Sequence, residues 1–204
     1  MKTDIITIDN KGNGMEAAQA QVTMAAQARG LNEKETLQLN ILTEELLGLA
    51  RSVTGELAAS FWIESEAKRF SLHLCTKTKM DASKRYLLMY TSTSGKNEAA
   101  KGFMGRVREI FASLSESYNP AMAEVGYGYA YVDVASFDAT MDMSPNAMLY
   151  GWSLKAYRDD LALNREKEQE KWDELEKSIT AKLADDIKIF IRGNTVEMVI
   201  EKTF

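Results

Sequence analysis

The sequence predicts an α/β fold, a two-layer α/β sandwich with a mixed sheet and helices on one face. Three observations predict it. Residues 32–53 carry Leu39, Leu42, Leu46, Leu49 and Val53 at alternating steps of three and four, the stripe of a helix that covers a core. Residues 69–79 alternate, with Phe70, Leu72, Leu74, Thr76 and Thr78 on one side and Ser71, His73, Cys75, Lys77 and Lys79 on the other. That is the pattern of a sheet well covered on one face only. Residues 185–204 hold two more alternating runs, DIKIFIRG and TVEMVIEKTF, joined at Gly193 and Asn194 as a hairpin that should lie inside the same sheet.

Taken in order, Ile5, Ile6, Thr7 and Ile8 suggest a short first strand, closed by the turn-forming run from Asn10 to Gly14. An alanine-rich helix follows over 15–29, with a narrow apolar face at Met15, Ala18, Val22, Ala25 and Ala26 and a stop at Gly30. Asn32 is placed to cap the next helix, whose first turn holds Glu33 and Glu35 where the helix dipole favours negative charge. Thr54 and Gly55 end it. Residues 58–64 and 69–79 read as strands, and 87–91 reads equally as a strand or a helix start. Gly102 and Gly105 then lead a helix striped by Val107, Ile110, Phe111 and Leu114, with Lys96, Lys101, Arg106 and Arg108 around it. A helix N-terminus of that kind can hold an anion, and the bland alternative is a tight turn with close packing.

Residues 118–184 read as an insertion, largely helical. Ser144 and Pro145 form a helix start, and Trp152, Tyr157, Leu161, Trp172, Leu175 and Ile179 are its apolar anchors. One unbroken helix over 145–184 would measure about 60 Å at 1.5 Å per residue, so a break is expected near Gly151 or residue 163. The run 164–171 has no apolar side chain, which favours a helix projecting past the body. The anchors fit a surface for a protein partner or a second copy of the chain, or plain cover for the sheet.

Composition narrows the function classes. The 204 residues suit one domain that carries an insertion, and a hydrophobic content of 45% with 27% charged residues suits a sizeable core. A net charge of -5 argues against a nucleic-acid partner. No apolar run reaches the roughly 18 residues of a membrane span, the N-terminal decapeptide lacks the apolar centre of a signal peptide, and a cytoplasmic protein is expected. The single cysteine excludes an internal disulfide and a Cys-based zinc site. His73 and Cys75 share a strand face as a candidate reactive dyad. With no third group visible to orient the histidine, the structural reading is favoured.

The order helix, helix, strands, glycine-led helix, closing hairpin resembles the GHKL family of ATP-binding domains, in particular the small anti-sigma-factor serine/threonine kinases and their histidine-kinase relatives. The resemblance covers residues 15–114 and 185–204 and implies a Bergerat-like fold. In that family the second helix carries a glutamate that can act as base and, four residues on, an asparagine that ligates magnesium. LTEELLGLARSV lays Glu44 on the glutamate and Gly48 on the asparagine. Glycine brings no oxygen to a metal, so the magnesium ligand is missing. The adenine-recognising Asp-x-Gly is absent from TKTKMD at 76–81. KGFMGRV meets the glycine-rich motif in part, through Lys101, Gly102 and Gly105.

Three functions follow from this reading. The resemblance implies a GHKL-like regulator whose degenerate nucleotide site leaves it to act by binding a partner protein, with no metal ligand set. It also allows an ATP-binding kinase or ATPase of the anti-sigma type, with Glu44 catalytic and Gly48, Lys101, Gly102 and Gly105 around the nucleotide. An unrelated α/β enzyme is the third class.

Overall fold

A computed structural model describes residues 1–9, 11–54, 58–77, 150–192 and 195–204, with side chains except at 49–54, 150–152 and 191–192. The elements in chain order are β1 (Ile6–Asp9), α1 (Met15–Ala28), α2 (Glu33–Thr54), β2 (Ala58–Glu66) and β3 (Arg69–Lys77). After the undescribed stretch come β4 (Tyr150–Ser153), α3 (Leu154–Leu163), α4 (Gln169–Lys177), α5 (Ile179–Leu183), β5 (Asp186–Arg192) and β6 (Thr195–Thr203).

Local chemistry sets the helix pair. Gly14 adopts φ +83°, and a Cβ there would overlap the Thr7 carbonyl, so only glycine lets the chain turn so tightly into α1. At the other end Gly30, φ +69°, closes a Schellman motif: its N–H donates to the Gln27 carbonyl and that of Leu31 to the Ala26 carbonyl, both at 3.0 Å. Two residues on, Asn32 Oδ1 accepts from the Glu35 N–H at 2.9 Å while Glu35 Oε2 accepts from the Asn32 N–H at 2.8 Å. This reciprocal capping box starts α2. Lys68, in the β2–β3 turn, pairs with Glu35 at 3.1 Å and ties that end of the helix to the sheet. The Asn32 amide first, and the Lys68 ammonium second, hold the Glu35 carboxyl below the usual range.

The six described strands lie in the order β1-β2-β3-β6-β5-β4. The closing hairpin is inside the sheet, with Leu72 opposite Ile200 and Leu74 opposite Met198 across the β3–β6 seam. The expectation of a mixed sheet is corrected: all five described pairings are antiparallel. The physical reason is the connectivity. An α1–α2 pair returns the chain to the end it left, so Ala58 starts β2 opposite Asp9, where β1 finished.

Alternation then decides the two faces. Ile8, Phe61, Ile63, Phe70, Leu72, Leu74, Met198, Ile200, Ile187 and Ile189 fall on one face, are buried, and join one core with Val22 of α1 and Leu39, Leu42 and Leu46 of α2. Leu154, Leu161, Leu175 and Ala181 from the later helices belong to the same cluster.

Residues 150–183 depart most from expectation. Trp152, expected on a helix, lies in β4 opposite Ile189, and Ser144 and Pro145 fall outside the described residues. The helix starts instead at Leu154, because two acceptors converge there. The Ser153 hydroxyl accepts from the Ala156 N–H at 3.3 Å, and Asp186 Oδ1 accepts from the Lys155 N–H at 2.9 Å. Asp186 also accepts from the Ser153 hydroxyl and from its neighbour's amide, Ile187 N–H, at 2.8 Å, so its buried carboxylate is fully met. The break expected near residue 163 is present: α3 ends at Leu163. The polar run 164–171 is not a projecting helix; it forms turns and then the first residues of α4, with the Lys167 and Glu168 amides donating to the Asn164 carbonyl. A second break at Ser178, φ -73° and ψ 123°, takes Ile179 out of the stripe and leaves it 66% exposed. The described part of the insertion therefore contains a strand and three short helices. Leu161 and Leu175 are buried in the chain's own core, and Trp172 packs half-buried at its edge under the Arg165 guanidinium, 4.8 Å from the ring.

Candidate functional site

Among the described residues two places gather chemistry-bearing side chains: the outer side of the α1–α2 pair, and the sheet face opposite the helices.

Glu44 sits on the outer side of α2. Its stripe neighbours Leu42 and Leu46 turn to the core, so helical spacing points Glu44 away from it. Across the interhelix groove Gln19 Nε2 donates to Glu44 Oε1 at 3.0 Å. Glu16, Gln19, Ala20, Thr23, Asn40 and Glu44 line this groove. Gly48 is exposed four residues beyond Glu44 on the same side, and a Cβ there would meet no atom within 4 Å. The structure thus brings Glu44 and Gly48 together on one exposed side, as their spacing implied. Lys101, Gly102 and Gly105 lie outside the described residues, and so does the TKTKMD stretch beyond Lys77. The residues present at Glu44 and Gly48 do not fit magnesium. Gly48 supplies no oxygen, and the one carboxylate is engaged by an amide of α1.

The second cluster centres on His73 of β3. Its ring stacks on Trp62 of β2, centroids 4.8 Å apart and planes within 10°. The register places Trp62 directly opposite His73, at the short range where cross-strand aromatic pairs form. His73 Nδ1 stands 3.1 Å from Glu197 Oε1 of β6. An ionised carboxylate only accepts, so Nδ1 carries the hydrogen. Nε2 lies 4.0 Å from Glu64 Oε2 and makes no hydrogen bond among the described residues. Glu64 is itself held by Lys2 at 2.9 Å and by the Trp62 indole N–H at 3.2 Å. The Lys2 contact is the main cause of a carboxyl pKa below the usual range.

This cluster answers the dyad question. Cys75 is half-buried beside Glu197, and burial first and that carboxylate second push its thiol above the ordinary range. A raised pKa keeps sulfur protonated, the opposite of an activated nucleophile. Glu197 is the orienting third group that the sequence did not show, so it is the raised thiol, and not a missing partner, that weighs against the dyad. Sequence reasoning missed Trp62 and Glu197 because they come from other strands and only the register brings them to His73. Gln19 and Asn40 were missed for the same kind of reason.

Among the described residues no helix is long and apolar enough to cross a membrane. Compared with known protein families, curated proteins and solved structures, the chain matches none of them.

Proposed function

We propose that the chain is a GHKL-like regulatory protein, a Bergerat-like two-layer sandwich whose nucleotide site has lost its magnesium ligand and which acts by binding a protein partner. The observation that carries the reading is the Glu44–Gly48 pair. The helix presents both positions on one exposed side, and among the described residues no atom stands within 4 Å of where a Cβ at Gly48 would be. Packing among the described residues therefore does not force glycine at residue 48. In mid-helix it also costs roughly 0.5–1 kcal/mol relative to alanine. The element order, with a helix pair between the first two strands and a closing hairpin laid on β3, supports the reading as well. ATP, if held at all, is held without magnesium at this helix.

Calorimetry and thermal shift with ATP and ADP, each with and without magnesium, test the proposal. Wild type is expected to show no magnesium-dependent binding, and Gly48→Asn is expected to fold and to gain it. Binding raises the melting temperature with the logarithm of ligand concentration, which separates it from a nonspecific salt effect. Tight magnesium-dependent ATP binding by wild type would favour the anti-sigma-type kinase or ATPase instead.

A further inference from the structure

The partner-binding reading leaves open where the partner docks and what it is. The outer side of the α1–α2 pair carries the answer furthest. Leu37, Glu44 and Gly48 recur along α2 at helical spacing, and Leu37 is 60% exposed although large and apolar. On α1, Ala20 lies in the groove and Met24, one turn on, is 61% exposed. Small residues at Ala20 and Gly48 let another backbone come close. The groove lining contains two carboxylates, Glu16 and Glu44, and no cation. Among the described residues neither carboxylate has an ion-pair partner. Asn40 also lines the groove, and its Oδ1 is shielded from solvent and meets no donor among the described residues. Apolar contact, close approach and uncompensated negative charge all ask for one kind of visitor.

We infer that the α1–α2 groove docks a helical segment of a protein partner that presents apolar side chains to Leu37 and Met24 and a lysine or arginine to Glu16 and Glu44. A helix can dock such a groove with a basic side chain toward the lining carboxylates and apolar ones on Leu37 and Met24, which lie outside the lining. Charge complementarity sets the partner's register and speeds encounter, so the association weakens with salt. The inference rests on the proposed function, since it names the partner surface of the same helix.

The test uses the full chain and a synthetic amphipathic helical peptide of leucine, alanine and lysine, with a second peptide in which glutamate replaces lysine. Binding is measured by calorimetry and by backbone amide shifts. The basic peptide is expected to bind, to shift amides of α1 and α2 around the groove, and to do so more weakly as salt rises. Glu44→Arg and the groove-filling Ala20→Trp are each expected to weaken it about tenfold, or about 1.4 kcal/mol. Glu170→Arg, an equal charge change on exposed α4, should leave it unchanged. Circular dichroism confirms that each variant is folded. Equal weakening by Glu44→Arg and Glu170→Arg would mean attraction to net charge alone and overturns the inference. So does equal binding of the acidic peptide, or no binding of the basic one. Any of these results, in a chain that still lacks magnesium-dependent ATP binding, removes only this docking surface. Magnesium-dependent ATP binding by wild type removes the proposed function whether or not the peptide binds.

Discussion

The two faces of the sheet are built from the same strands and by opposite means. On the helix-covered face Phe61, Ile63, Leu72, Leu74, Met198 and Ile200 are buried and contribute through non-directional removal from water. Such burial is worth roughly 1.5–3 kcal/mol for each large side chain. On the other face the alternate residues Trp62, His73, Glu64, Glu197, Lys188 and Glu201 work through pairs: a stacked ring, a 3.1 Å hydrogen bond, and a Lys188–Glu201 bridge at 2.7 Å. Each pair is worth little where water reaches it. The first face holds the fold together. The second can change with small loss of stability, and so could the outer side of α1 and α2.

The largest test of this contrast is Phe61→Ala, expected to cost about 3–5 kcal/mol in urea unfolding, because it opens a cavity where a fully buried ring stood. A loss no larger than that of a substitution at His73 would break the comparison. Asp186 is a buried polar residue expected to behave like a core residue. Asp186→Ala strips acceptors from Lys155 N–H, Ile187 N–H and the Ser153 hydroxyl, and should cost roughly 2 kcal/mol. Hydrogen exchange in α3 should rise with it, and an unchanged α3 would mean that Ser153 alone suffices as cap.

Next in size is His73→Ala, expected to cost about 1 kcal/mol, since it removes one stack and one hydrogen bond from a half-buried surface. The histidine ring is only 16% exposed, so a loss approaching that of Phe61→Ala would show the second face to be core as well. The smallest effect concerns acid. The folded pKa of Glu64 is lowered, so the stability it adds is fully present above the ordinary glutamate value of about 4.3 and is lost as the pH falls through the lower folded value. Lys2→Ala removes the main cause, so it should lower stability slightly near neutrality, flatten the curve in that acid range, and leave stability unchanged where Glu64 is protonated. A curve with the same slope in both proteins would assign the acid sensitivity elsewhere.

Some of this architecture was legible because the signals are local. Asn32 and Glu35 meet three residues apart, Gly30 stops α1 where its residue type says it should, and the alternation of residues 69–77 fixed which side of β3 faces the core. Residues 150–183 were misread for the converse reason. Trp152, Tyr157 and Leu161 carry a helix-like spacing, yet pairing with β5 makes 150–153 a strand and only then lets Ser153 cap α3. Likewise, the Glu44–Gly48 spacing placed both residues on one side of α2, but nothing in it told that Gln19 would be the neighbour on that side.

By itself the sequence determined periodicities and caps, and so the identity of most described elements, the buried stripe of α2 and the covered face of the sheet. These follow from steric and hydrogen-bonding rules acting within a turn or two of chain. The tertiary structure alone decided the antiparallel sense of the strand pairings, the Asp186 cap delivered to Lys155 across 31 residues, and the Trp62–His73–Glu197 cluster joined over 124. Contacts of that kind depend on which distant segments share a sheet edge or a helix groove. Register and packing fix that choice, and no local pattern encodes it.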